Sequence, residues 1–185
     1  GDGVVDTYDK VALGYTNIPE ITYGFGGAIE WKGFDVSIFF QGTARVSLFE
    51  EGSTIVPFSS GYKNNDGFLR GVMENRWTVD NPDPNARYPR TIRPSDALDN
   101  NNTKKSSFWV RNAAFLRLKN AEIGYTFPKR WMEKMAIQNL RLYVSGVNLL
   151  TWAPDVHLFD PDLGSGDGRK YPPTRVFNVG LNINF

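Results

Sequence analysis

The sequence predicts an all-β protein, in which antiparallel strands form part of a transmembrane barrel. Three observations point there. In the first, residues 175–185 set Phe177, Val179, Leu181, Ile183 and Phe185 against Asn178, Gly180, Asn182 and Asn184. Successive side chains of a strand point to opposite faces, so one face is apolar and the other polar or small. A strand tilted through a bilayer needs roughly 9–11 residues, and apolar-out, polar-in alternation marks outer-membrane strands. The second is that short and very long connections alternate along the chain. The third is that apolar-face aromatics gather at one end of the strands. The final strand alone would equally suit a half-buried strand of a soluble sandwich. The other two observations separate the readings.

At 185 residues the chain is long enough for a core, and its formal net charge of +1 provides no basic run for nucleic acid. There is no cysteine, which excludes disulfides, thiolate metal sites and a Cys nucleophile. Nowhere does an apolar run approach the roughly 18 residues of a membrane helix. The opening Gly1-Asp2-Gly3 has no signal-peptide pattern, so the chain is expected to be a piece of a longer protein.

The first strand spans about 20–31, with Ile21, Tyr23, Phe25, Ile29 and Trp31 on one face. Lys32-Gly33 makes a two-residue turn, and a second strand over 34–42 carries Phe34, Val36, Ile38 and Phe40. Pairing Trp31 with Phe34 puts both apolar faces on one side and sets Glu30 opposite Asp35. Two opposed acids are unfavourable unless water or a cation separates them, as a wet lumen would. Residues 43–107 are a long loop rich in Asn, Asp, Pro and Ser, with a short helix expected inside Gly71–Asp80. Such a loop is foreign to a compact soluble domain but ordinary outside a barrel.

A third strand over 108–127 changes phase: Leu116 and Leu118 share one parity, Ala121, Ile123, Tyr125 and Phe127 the other. One extra residue near Lys119-Asn120, a β-bulge, would restore the face. Arg117 and Lys119 are then expected toward the lumen or an interface, since charge facing mid-membrane lipid costs roughly 2–4 kcal/mol. Pro128 ends this strand, and a helical turn is expected after it. The fourth strand covers 139–151, a second long loop 153–174, and the last strand 175–185. With the long loops outside, Trp31, Phe34, Tyr125, Phe127 and Phe185 gather at the inner end as an interfacial girdle. Five strands cannot close, because such barrels start at about eight, so further strands are expected before Gly1.

The wording of the chain resembles the SusC/RagA family of TonB-linked outer-membrane transporters. The matching stretches begin with Gly1-Asp-Gly-Val-Val-Asp6 with Asp9, Pro19–Phe25, Phe34–Gly42 and Arg76-Trp-Thr with Asn81-Pro82. They continue through Tyr88-Pro-Arg90, Phe115–Asn120 with Gly124-Tyr125, Ser145–Leu150, Asp160-Pro161-Asp162 and the Phe185 ending. Asp162 stands where the family usually has Glu. The resemblance implies that residues 1–185 are the C-terminal part of a barrel of about 22 strands, whose plug and TonB-contacting segments lie elsewhere. It also implies import of oligosaccharides or peptides with a SusD-like surface lipoprotein, the TonB complex as energy source, and no enzymatic activity. The alternatives are a soluble carbohydrate-binding β-sandwich and a lid-less TonB-dependent receptor for iron chelates or cobalamin.

Candidate site residues are few. Asp2, Asp6 and Asp9 fit the second half of a calcium loop, although its first two ligand positions would precede Gly1, and a Gly/Asp turn explains them as well. Trp77, Tyr88 and Trp152 lie in or beside outer loops, where they stack on sugars, contact the lid, or pack within the loops. Phe185 is expected to act as a barrel-assembly signal, as the resemblance suggests. His157 is read as a solvated loop residue and Asp160-Pro161-Asp162 as a rigid turn, so no catalytic set emerges.

Overall fold

The computed structural model describes residues 3, 7–52, 54–56, 69–91, 102, 105–132, 136–166 and 168–185. Strands β1 (Ile21–Trp31), β2 (Phe34–Ala44), β5 (Phe115–Thr126), β6 (Asn139–Trp152) and β7 (Val176–Asn184) form one antiparallel sheet in the order β1-β2-β5-β6-β7. Between β2 and β5 lie the short strands β3 (Ser47–Phe49) and β4 (Val110–Asn112), which pair with each other, and helix α1 (Arg70–Glu74). Helix α2 (Lys129–Met132) follows Pro128. The strand expected over 108–127 is therefore two strands. Asn112 makes the break: its side-chain carbonyl accepts from the Ala114 amide at 3.0 Å, bending the backbone out of the ladder.

Trp31 pairs with Phe34 and Glu30 with Asp35 across Lys32-Gly33, and both turn residues have positive φ (50° and 89°). That is the primed turn whose twist matches the flanking strands. The bulge also falls where the parity change requires it. Phe39 pairs with Asn120 and Phe40 with Leu118, leaving Lys119 unopposed. On the other side Leu118 pairs with Leu150 and Asn120 with Val147, so Asn148 and Leu149 bulge at the same level. Asn148 takes φ 55°, and its side-chain amide donates to Thr174 O at 3.0 Å, holding the approach to β7.

These registers carry one apolar face across all five strands, through Phe25, Phe40, Leu118 and Leu150, and through Val36, Ile123, Val144 and Val179. Its side chains are largely exposed. At the inner end the rings make a continuous row: Phe34–Tyr125 at 4.6 Å, Tyr125–Phe127 at 5.1 Å and Phe127–Trp131 at 6.1 Å. At the outer end Phe25 lies 5.2 Å from Phe40, which lies 6.4 Å from Trp152. The buried core is not under the sheet but in the outer connections. One cluster joins Ile55, Val56, Val72, Tyr88 and Trp109; another joins Val46, Leu48, Ala113 and Val156, with Phe159 against both. The outer loops thus form a folded cap.

Candidate functional site: the polar wall and its outer cap

The face opposite the apolar one carries Asp35, Gln41, Arg117, Glu122, Arg141, Asn178 and Asn182. Near its inner end Arg141 reaches from β6 over Gly124 of β5 to Asp35 of β2, with Nε–Oδ1 at 3.0 Å, and to Glu122 Oε1 at 2.6 Å. One guanidinium thereby ties three strands with charge-assisted bonds. Near the outer end Arg117 is only 2% exposed and meets Asp160 at 2.5 Å, Asp162 at 2.8 Å and the Thr151 hydroxyl at 3.0 Å.

The cap has its own ionic centre. Glu50 is fully buried and accepts from Arg111 Nε at 2.9 Å, with Arg87 at 3.5 Å and the Tyr88 hydroxyl at 3.5 Å. Arg87 also holds Asp155 at 3.1 Å, and Asp155 accepts from the Asn112 amide at 2.9 Å. Burial and the neighbouring Glu50 charge raise the Tyr88 phenol above its ordinary value. Burial also works against the charge on Asp155, but the Asn112 amide and Arg87 outweigh it and hold the carboxyl below the ordinary range. Asp162 goes the other way: burial and the Asp160 charge raise it despite Arg117. Each charge sits where the surrounding loops cross, so electrostatics here joins segments far apart in sequence.

Of the residues singled out in the sequence, Trp77 and Tyr88 come together in the cap, while Trp152, Phe185 and Asp9 lie apart from them. Tyr88, 1% exposed, is a member of the cap core, its ring 6.4 Å from Trp109, so its faces meet protein. Trp77 is half-buried nearby, its amide donating to Tyr88 O at 2.9 Å. Trp152 closes β6 opposite Leu116, on the apolar face with Phe40, and is 50% exposed to the membrane side. Phe185 follows β7 and is 79% exposed. Asp9 lies in a one-turn 3-10 helix, Thr7–Asp9, while Asp2 and Asp6 lie outside the described residues. Among the described residues there is no group of three or more His, Asp or Glu that could hold a metal, and the expected calcium ligands Asp2 and Asp6 are not among them.

Sequence reasoning missed the cap network of Glu50, Arg87, Arg111 and Asp155 and, separately, the joining of Arg117 to Asp160 and Asp162. The available signal was charge on a face or in a loop with no excess of solvent to explain it: Arg117 between two leucines, and Glu50 and Arg111 at equivalent ends of short apolar runs.

No family model matches the chain. Among curated proteins it is 30% identical over 199 residues to TonB-dependent receptor P26 of Formosa agariphila, covering 100% of this chain and 19% of the relative. It is 24% identical over 190 residues to TonB-dependent receptor SusC of Bacteroides thetaiotaomicron, covering 100% and 17%. The chain thus spans about a fifth of the length of the relatives it matches. Among solved structures it superposes on the RagAB peptide transporter with TM-score 0.68 at 22% identity, over 98% of this chain and 19% of the other. Against the RagAB peptide importer in the closed-closed state the score is 0.67 at 21% identity, over 100% and 20%. Full-length coverage by TonB-dependent receptors, a shared fold, and a sheet with one lipid-compatible face lead to one conclusion: the chain is similar over its whole length to one segment of SusC/RagA-type TonB-dependent receptors and has the fold of the corresponding part of their β-barrel.

Proposed function

We propose that these residues form part of the wall and outer mouth of a TonB-dependent importer of oligosaccharides or peptides, working with a SusD-like surface lipoprotein. The observation that carries this reading is the two-sided sheet. An unbroken apolar face backs a polar face pinned by Arg117 and Arg141, and a folded cap stands at one end only. A membrane wall needs the first face, a wet passage the second, and a surface partner the third. The names of the relatives add the TonB coupling, and the RagAB structures add a peptide as one cargo class. Trp77, at the cap surface beside the buried Tyr88, is the aromatic best placed to meet a substrate or a lid. Trp152 serves the outer membrane interface, and Phe185 continues the apolar parity of β7 as part of what guides barrel assembly.

The test is uptake and co-purification by the full-length parent in its own outer membrane. Cells carrying it should lose growth on one oligosaccharide or peptide source when it is deleted and when TonB is inactivated, and an affinity-tagged parent should retain a surface lipoprotein through detergent extraction. Uptake that survives TonB loss would refute energy coupling, and a parent isolated alone would refute the lid.

A further inference from the structure

Residues 153–174 leave the outer end of β6 and fold back over the polar face of the sheet. Arg117 marks the place, because its register with Gln41 and Thr151 puts it on that face. Its guanidinium takes Asp160 and Asp162 from this loop, Thr151 from the wall, and lies 4.9 Å over the Phe115 ring. The loop is shaped to offer both acids at once. Pro161 starts a 3-10 turn, Pro161–Leu163, and Asp160 caps it by accepting from the Asp162 amide at 3.0 Å. Proline fixes φ there, so less freedom is lost when the two carboxylates converge.

The loop's opposite side is joined to the cap. Gly166 N donates to Phe49 O at 2.9 Å, Phe49 N to the Ser165 hydroxyl at 3.0 Å, and Val156 packs with Val46, Leu48 and Ala113. Residues 153–166 are therefore a middle layer between wall and cap. A surface ion pair would contribute too little to hold such a layer. A buried arginine differs, because losing its partners leaves an uncompensated charge out of water.

We propose that Arg117 is a positioning residue that seats loop 153–174 inward, making the loop a fixed lining of the passage at its outer mouth and not a mobile lid. This rests on the importer reading above. At that level a cargo meets the loop, with His157 and the outer edge of Asp162 exposed, while β5 lies behind it.

The full-length parent, freed of any other cysteines and held in native outer membranes, supplies the test. Reporter cysteines are placed by Leu163→Cys, close to the seat, by His157→Cys, exposed in the same loop, and by Val72→Cys, in the cap core. Each is labelled with a membrane-impermeant maleimide. With Arg117 intact, the position 163 reporter should react slowly. It should react at least about tenfold faster in R117Q, recover part of its protection in R117K, and speed up severalfold in D162N. The position 157 reporter should stay fast and the position 72 reporter slow throughout, with heat-shifted gel mobility confirming a folded barrel. Should R117Q fail to reach the membrane, D162N decides. An unchanged rate at position 163 in a folded variant would overturn the proposal. Equal acceleration at position 72 would also overturn it, by making Arg117 a general stability element. Labelling needs no transport, so TonB-independent uptake would sink the importer reading and leave the result on the seat standing.

Discussion

Single residues decide how charge is tolerated on both sides of this wall. Gly124 is the clearest case: a Cβ there would stand 2.6 Å from Asp35 Oδ1 and 2.7 Å from Arg141 Cζ, in the space the guanidinium crosses. Gly124→Ala should therefore break the tie between β2, β5 and β6 and cost roughly 1–3 kcal/mol by overpacking. Urea unfolding of the full-length parent in bilayers would read this as a lower midpoint with unchanged slope. Glu50 is the matching case in the cap. Glu50→Gln leaves Arg111 and Arg87 beside a neutral amide, and losing one partner of a buried pair costs about 3–5 kcal/mol. Protease nicking of the cap on intact cells should rise while the barrel stays folded; unchanged nicking would show that water already reaches Glu50. Asp155 gives the pH dependence. Its carboxyl is depressed in the folded cap, so its contribution is fully present above the unfolded value near 3.8 and fades as pH falls through the lower folded value. Protection of the Asn112 amide, judged against its intrinsic exchange rate at each pH, should fall below about pH 4, and Asp155→Asn should remove that acid-dependent part. None of these pairings was legible in the sequence. Glu50, Arg87, Arg111 and Asp155 are separated by up to about a hundred residues, and loop packing has no period that would align them. Tyr88 suffered the same fate: its environment depends on Ile55, Val72 and Trp109, which only the folded cap assembles.

At the level of elements, the strands were legible because one rule governs them. Period-two alternation, checked across a two-residue turn, fixes the register of β1 on β2 with no freedom left, since a one-residue slip would turn every side chain over. Spin labels at Ile29, Val36 and Ile38 of the parent should be reached by lipid-soluble relaxing agents, and labels at Ser37 and Glu122 by aqueous ones. The reverse pattern would invert wall and lumen. The bulge at Lys119 was legible for the same reason, as a change of parity between Leu118 and Ala121. Deleting Lys119 should turn Leu116 and Leu118 inward and Arg117 toward lipid near the outer interface, where an arginine costs about 0–1 kcal/mol. Loss of the Asp160 and Asp162 contacts adds to that, so folded parent in the outer membrane should fall sharply. A normal yield would mean the strand re-registers by another route. Trp152 shows where the rule was applied too briefly. The bulge at Asn148 and Leu149 adds two residues and so leaves the parity of β6 unchanged, and Leu150 and Trp152 stay on the apolar face with Leu142 and Val144. Followed through Leu150, the alternation would have placed Trp152 in the membrane and not in a binding loop.

Over the whole molecule, burial is inverted relative to a soluble domain: the sheet faces outward with its apolar side and the hydrophobic core lies in the loops. The cap clusters hold Ile55, Val72, Tyr88 and Trp109, whereas Ile29, Trp31, Phe177 and Val179 of the strands remain largely exposed. Such a face gains nothing from folding in water. The sheet also has two edges, β1 and β7, with no partner among the described residues. In lipid each unpaired backbone group at such an edge costs several kcal/mol, and in water the same edges recruit other chains. Neither solvent therefore suits this chain by itself. The 185 residues expressed alone should collapse into oligomers through the apolar face and the β1 and β7 edges, while the cap, which owns its core, retains local protection. Ultracentrifugation of refolded material should show large, polydisperse species with no cooperative urea transition, and hydrogen exchange should find the slowest amides near Val72 and Trp109 instead of in β1 and β7. A soluble monomer that unfolds in one sharp step, with its slowest amides in the sheet, would mean that the apolar face is covered from within, and the membrane-wall reading would fall with it.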